Sequence, residues 1–347
     1  LSAEAGLRWG FFNQLGRGVD YRYAGGIPGP DVEVIDSIQF NSFENIKFYQ
    51  GLEPRLAFRY LINEEFSLKA AYNRNYQYVQ IASNSSAGLP IDRWILAGTY
   101  VPPIRSDQVS IGLFKNFQNN KWEFSVESYY KDLKNIIDLR NGAQVLFTDQ
   151  VETEILTGKG WAHGVEFLIR KNTGKTTGWL AYTWSRTWRL IEGISENRKY
   201  NPRFDRPHDV TFVLNHEFSP SWSAGLTFVY TTGQAVTFPI GTYPVDNQQL
   251  PLFSKFRNQD RFPDYHRMDA SVTWKNPNKG RKWRGSWNFS VYNLYGRKNP
   301  FAYEFRQIYN DDFRFSAGDG PIESSRQGIV MTYLFTFLPS ITYNFQF

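Results

Sequence analysis

The sequence contains no cysteine, which excludes a disulfide framework and any thiolate metal centre. It has no apolar run approaching the roughly 18 residues that a membrane-spanning helix needs. No segment keeps apolar residues at i, i+3, i+4 and i+7 beyond two turns, so amphipathic helices are not expected either. Charge of one sign is scarce as well. The 39 Lys and Arg face 33 Asp and Glu, a net charge of +6, and the basic residues are scattered along the chain. A nucleic-acid partner would need a clustered basic stripe, and the sequence shows none. The first ten residues, LSAEAGLRWG, lack the basic and apolar regions of a leader peptide. They read as chain left after leader removal, or as the interior of a longer polypeptide.

What is abundant is aromatic. With 29 Phe, 21 Tyr and 11 Trp, aromatic residues make up 18% of the chain, although the mean hydropathy is only −0.49. A soluble core of this size does not require so many rings. A wall facing lipid, with rims at headgroup level, does.

The organising pattern is alternation at period 2. Trp222, Ala224, Leu226, Phe228 and Tyr230 share one parity; Ser223, Gly225 and Thr227 share the other, with Val229 an exception. Met268, Ala270, Val272 and Trp274 oppose Arg267, Asp269, Ser271, Thr273 and Lys275. Trp122, Phe124, Val126 and Tyr130 oppose Glu123, Ser125 and Glu127. Successive side chains of a strand point to opposite faces, so each segment has one apolar and one polar face.

Strands are expected near 2–14, 51–62, 66–78, 105–117, 121–137, 158–171, 178–190, 207–217, 221–232, 265–276, 283–297 and 327–347. The connections alternate. Short turns fall at 63–65, 118–120, 172–177, 219–220 and 277–282, and long loops at 15–50, 79–104, 138–157, 191–206, 233–264 and 298–326. Short turns at one rim and long loops at the other are the habit of outer-membrane barrels, whereas a water-soluble sandwich has no reason to sort its loops. The last segment is read as one continuous strand with an irregularity at Pro339, because Ile329 to Phe337 and Ile341 to Phe347 keep one phase. The expected fold is all-β: an antiparallel transmembrane barrel wall of about 12 strands, with Trp222, Phe228, Trp274, Phe289 and Phe345 facing lipid.

Several segments then resemble a known family. The terminal SITYNFQF (340–347) is similar to the closing strand that the barrel-assembly machinery recognises. GKGWAHGVEF (158–167), RFDRPHDV (203–210), PDYHRMD (263–269) and VYNLYGRKNP (291–300) follow in an order that resembles the C-terminal half of TonB-dependent receptors, of the type common in Bacteroidetes. The resemblance runs from about residue 50 to the end. It implies that residues 1–347 are the C-terminal portion of a 22-stranded barrel in the bacterial outer membrane, with a plug domain and N-terminal strands outside this chain. The implied partners are outer-membrane lipid, the remaining half of the barrel, a TonB–ExbB–ExbD system acting through the plug, and a surface lipoprotein lid. The implied activity is import of a scarce solute of the siderophore, cobalamin, glycan or peptide class. A passive or structural plug-less barrel of an envelope complex is the alternative.

No catalytic set and no cofactor site is assembled from the sequence. His163, His208, His216 and His266 have no close ligand spacing and read as strand or rim histidines. Asp311, Asp312 and Asp319 around Arg314 do not match a calcium loop and read as a solvated loop. Charges of inward parity, including Arg55, Arg59, Glu123, Glu127, Asp209, Arg267 and Asp269, fit either a wet lumen or a wall that grips a plug. Asn73, Asn75, Tyr129, Lys131, Arg189 and Tyr292, near the expected outer rim, are the candidate ligand contacts.

Overall fold

The computed structural model describes residues 1–82, 93–143, 145, 148–245, 248–277, 284–309 and 325–346. Among these there is no α-helix, and twelve strands form one antiparallel sheet in chain order. They are β1 (Ser2–Leu15), β2 (Asn45–Leu61), β3 (Phe66–Gln77), β4 (Ile104–Phe117), β5 (Trp122–Leu139), β6 (Ile155–Lys171), β7 (Thr176–Ile191), β8 (His208–Ser219), β9 (Trp222–Thr231), β10 (Tyr265–Lys275), β11 (Arg284–Tyr292) and β12 (Leu338–Gln346). Each strand pairs with its sequence neighbours in the set. Among the described residues, β1 pairs in the sheet only with β2 and β12 only with β11, so the wall is open at both edges.

The short turns are built by residues whose side chains or left-handed backbones suit them. The Asn63 side-chain oxygen accepts the N–H groups of Glu65 and Phe66 at 2.9 and 2.8 Å. Gln118, Asn119 and Asn120 all have positive φ. Ser219 Oγ accepts the N–H of Trp222 at 3.1 Å. Pro54 falls where the β2–β3 ladder stops at Arg55–Asn73, a place that asks for no N–H.

Register gathers the apolar parity onto the outer face. Trp222, Trp274, Trp287 and Tyr343 stand opposite one another across β9 to β12, with Trp222–Trp274 ring centroids 6.5 Å apart and Trp287–Tyr343 4.7 Å apart. Phe117 stacks on Trp122 at the same short-turn rim. Cross-strand aromatic pairs contribute about 0.2–1 kcal/mol each, and here they also form the lower aromatic girdle of the wall. Phe289 (46% exposed) and Phe345 (63%) lie on this face too, as do Phe228, opposite Met268, and Trp274.

Three expectations are corrected. Residues 327–347 are not one strand: Ser325–Thr332 pairs with Ala302–Tyr309 in a separate hairpin, and only Leu338–Gln346 joins the wall. Nor does the chain kink at Pro339, which sits in register opposite Val291; an edge strand tolerates the missing N–H. β11 ends at Tyr292 rather than 297, because Asn293 turns with φ 55°. The long loops carry further hairpins, at Gly18–Tyr23 with Val34–Phe40, Val79–Ala82 with Arg93–Leu96, and Pro239–Val245 with Gln248–Phe253. Asp311, Asp312, Arg314 and Asp319, most of the 277–282 turn, and Phe347 lie outside the described residues.

Candidate functional site: the lumen wall and the outer rim

The inner face is read row by row from the register. One row runs Arg59, Lys69, Gly112, Glu127, Glu166, Thr183, Asp209 across β2 to β8. It is segregated: two cations stand opposite each other on β2 and β3, and three carboxylates follow on β5, β6 and β8. Glu127 directly faces Glu166, and Arg59 faces Lys69. Like charges placed this way destabilise a sheet. Among the described residues none of these five charges forms an ion pair. Lys69 instead holds its ammonium 3.8 Å from the centre of the Phe114 ring. Glu123 and Arg170 face each other lower on the same wall.

A second row joins Arg55, Asn73, Gln108 and Lys131 across β2 to β5. Strands lie about 4.8 Å apart, so Asn73 and Lys131 belong to one patch roughly 10 Å wide. Asn75 donates to Asn73 at 2.9 Å, and Arg55 donates to Asn75 at 3.4 Å. Tyr129, on the same parity one row below, packs its ring over Gly164, where a β-carbon would come within 2.9 Å of it. Five of the thirteen residues singled out in the sequence, Arg55, Asn73, Asn75, Tyr129 and Lys131, thus share one stretch of inner wall. Beside it, Glu53 is 1% exposed and ion-paired with Arg8 at 3.2 Å and Arg55 at 3.9 Å.

Tyr292, Arg267, Asp269 and Arg189 lie elsewhere and are held by their neighbours. Tyr292 accepts a hydrogen bond from Arg267 at 2.7 Å, and the Arg267 guanidinium stands 4.1 Å from the centre of its ring. Arg267 also pairs with Asp269 at 3.0 Å. Asp269 in turn accepts the Asn293 N–H at 2.8 Å. Arg189 binds Asp138 at 3.2 Å and the Ile137 carbonyl at 3.1 Å.

Asp138 is a rim hub that the sequence reading missed. It also accepts Tyr200 Oη at 2.7 Å and Arg257 Nη1 at 2.8 Å. An extra residue, Asn135, turns it to the lumen face by shifting the β5–β6 register. Burial and the Asp138 carboxylate push the Tyr200 phenol above its ordinary range, so it remains a donor. Asp205, within RFDRPHDV, is a second hub at 1% exposure. It takes the Thr187 N–H at 2.7 Å and pairs with Arg261 and, at 3.7 Å, with Arg186. Asp264, within PDYHRMD, accepts Tyr230 Oη at 2.6 Å and the Gly233 N–H at 3.0 Å. Asn293 and Asn299, within VYNLYGRKNP, close the β10–β11 corner through Arg297 and His266. Three of the motifs that suggested a family, RFDRPHDV, PDYHRMD and VYNLYGRKNP, are therefore polar clasps tying long loops to strand ends. A cleft of about 380 Å³ opens among these loops, lined by Trp188, Arg198, Lys199, Tyr200, Phe256 and Arg257.

The four histidines each touch an aromatic ring: His163 with Trp184, His208 with Tyr182, His216 with Phe218, and His266 with Tyr295.

The comparisons with known proteins agree with this wall. No curated protein sequence matches the chain. Among solved structures, the ferric-catecholate import receptor Fiu from E. coli K12 aligns with TM-score 0.56 and 14% identity, over 99% of this chain and 42% of that one. The ferric citrate transporter FecA aligns with TM-score 0.52 and 14% identity, over 88% and 40%. The ferripyoverdine receptor of the Pseudomonas aeruginosa outer membrane aligns with TM-score 0.50 and 12% identity, over 91% and 35%. The chain thus spans about two fifths of the length of these receptors or less. At such identities the likeness shows the fold alone: an integral outer-membrane barrel wall. Residues 1–294 match the family described as "TonB dependent receptor-like, beta-barrel", and the chain belongs to it.

Proposed function

We propose that this chain is the C-terminal part of the wall of a TonB-energised importer that carries a scarce solute into the periplasm. The observation that carries this reading is the lumen row in which Glu127 faces Glu166 and Arg59 faces Lys69, with no ion pair to any of the four among the described residues. A wall that only lined a wet pore has no need to set like charges against each other. A removable plug presenting cations to one sector and carboxylates to the other would stabilise both, and Glu123, Asp209, Arg267 and Asp269 extend its contact surface. The two open edges support a barrel completed by further strands, since unpaired backbone inside lipid is costly. In this reading the plug reaches the TonB–ExbB–ExbD system, and the patch of Arg55, Asn73, Asn75, Tyr129 and Lys131 faces the transported solute. Arg189 and Tyr292 shape that route through the Asp138 and Arg267 networks.

Capture begins at the external loops between β1 and β2 (16–44) and between β9 and β10 (232–264), where a rigid scaffold places binding residues. The cleft's Arg198 and Lys199, with Trp188 and Phe256, favour an anionic, ring-bearing solute over a neutral glycan. The ferric catecholate named for one structural neighbour is of that kind; the ferric citrate named for another shares the charge but carries no ring. A surface lipoprotein lid remains compatible with the same loops.

The test uses the full-length gene product in a host stripped of its own receptors. Uptake of radiolabelled iron from ferric citrate and from a ferric catecholate is measured with and without TonB. Uptake that vanishes without TonB supports the proposal. Solute entry that persists without TonB supports the passive, plug-less alternative and overturns it.

A further inference from the structure

The outer face carries a feature that belongs to neither the lumen nor the loop cleft. Arg105 on β4 stands directly opposite Lys134 on β5, and Lys134 stands opposite Lys159 on β6. One row below, Arg74 on β3 faces Asp107 on β4. These residues share the parity of Leu113, Val126 and Phe167, so they point outward, away from the lumen. Three cations in one lateral row on adjacent strands repel one another. Asp107 relieves only part of this, lying 2.6 Å from Arg74 Nε and 3.1 Å from Arg105 Nε. Among the described residues Lys134 and Lys159 form no ion pair, and both side chains are exposed. Asp132, opposite Asp107, is the other carboxylate of the patch, so four cations meet two anions. Amino acids scattered over 85 residues of sequence, Arg74 to Lys159, converge only because of the register.

The height of the row identifies what can reach it. On β5 the lower girdle is marked by Trp122, and Lys134 lies twelve residues further along. At about 3.3 Å per residue and a strand tilt of roughly 40°, that is about 30 Å above the girdle. The apolar band of such walls is about 25 Å tall. Phe124, Val126 and Tyr130 fill the interval, and Tyr72, Tyr130 and His163 form the row at its upper boundary. The cations therefore stand a few ångströms into the headgroup layer, at the rim of the long loops. On that face and at that level the neighbour is the outer leaflet itself.

We propose that Arg74, Arg105, Lys134 and Lys159 form a site on the outside of the wall for the phosphate groups of an outer-leaflet glycolipid. Asp107 fixes the two guanidiniums, which suit phosphate oxygens in pairs. The two lysines add point charges that swing to meet a second phosphate. Acyl chains of the same lipid would lie along Leu113, Val126 and Phe167 below.

The experiment uses the full-length receptor, extracted in detergent, stripped of lipid and incubated with either bisphosphorylated lipid A or the same lipid A after phosphatase treatment. Retained lipid is counted by native mass spectrometry. Wild type should retain the phosphorylated form at least about tenfold over the dephosphorylated one. Lys134→Gln with Lys159→Gln should abolish that preference, and Lys134→Arg with Lys159→Arg should restore it. Lys115→Gln with Lys171→Gln, outward lysines at the opposite rim, should leave it unchanged. In wild type alone, retention should fall as salt is raised from about 0.1 to 1 M, where the screening length shrinks from roughly 10 to 3 Å. Equal retention of both lipids, salt-independent retention, or equal loss in the Lys115/Lys171 pair would overturn the proposal.

Discussion

Asp205 offers the sharpest test of the clasp that holds the outer rim. Its carboxylate is 1% exposed, yet it neutralises Arg261, lies 3.7 Å from Arg186 and accepts the Thr187 N–H. Through Arg261, which also donates to the Gly233 carbonyl at 3.1 Å, it ties the 232–264 loop to β7. Removing one partner of a fully buried pair costs about 3–5 kcal/mol, because the other charge is left unpaired. Here the two arginine side chains are 27% and 30% exposed, so water recovers part of that loss. We expect about 2 kcal/mol for Asp205→Ala, which at about 1.4 kcal/mol per decade is a roughly 30-fold rise in local opening. Asp205→Asn keeps an acceptor for Thr187 but loses the charge, and should raise opening by about fivefold. Hydrogen exchange of the full-length receptor in detergent reads this directly, because local opening sets the exchange rate. Amides at 185–189, 233–236 and 260–263 should speed up while β9 (222–231) does not. Unchanged exchange at 260–263, or equal acceleration in β9, would refute the clasp.

Three further outcomes follow from the geometry. Glu127→Lys with Glu166→Lys, which replaces the facing carboxylates by cations, should unseat a cationic plug surface in the assembled full-length receptor. Sensitivity to large antibiotics such as vancomycin should then rise, and unchanged sensitivity in a correctly assembled variant counts against plug contact there. Gly233→Ala should loosen the same loop by about 1–3 kcal/mol, because an added β-carbon would fall 1.7 Å from the Phe262 carbonyl oxygen. Limited proteolysis between 232 and 264 should accelerate, and wild-type resistance would contradict the packing. The Tyr230 hydroxyl, first, and the Gly233 N–H hold the Asp264 carboxyl below its ordinary value. A depressed folded-state value adds stability above the unfolded pKa of about 3.9, and this is lost as pH falls through the folded value. Loop opening should therefore be flat from neutral pH down to about 4 and steepen below it. Asp264→Asn should flatten that acid limb, as followed by exchange at Gly233.

Strand existence and facing were legible in the sequence for a physical reason. In lipid, one parity must be apolar along the whole span, so Trp222 to Tyr230 or Met268 to Trp274 disclose their outer face without reference to any partner. Turn chemistry was equally local: Asn63 caps its own turn, and Gln118 to Asn120 take the left-handed backbone themselves. The reading failed where parity was the only guide and partner choice decided. Ile329 to Phe337 keep phase with Ile341 to Phe347, yet the first set contributes to a hairpin with 302–309 and only the second joins the wall. Phase is preserved across an unpaired stretch as readily as along a strand, so it cannot reveal where one ladder ends.

The site depends on the same missing quantity. Parity told that Glu127, Glu166, Arg59 and Lys69 face inward, but only register told that each faces its own sign. Asp138 finds Arg257 across 119 residues of sequence, and its inward aim depends on the single extra residue Asn135. A one-residue slip at that bulge would send Asp138 outward and leave Arg189 and Arg257 without their anion. The Arg105–Lys134–Lys159 row, on the other face, rests on the register just before the bulge. Lumen chemistry and outer-wall chemistry are thus two readings of one set of registers. The rim clasps of Asp138, Asp205 and Asp264, which tie external loops to the strand ends above those registers, stabilise both at once.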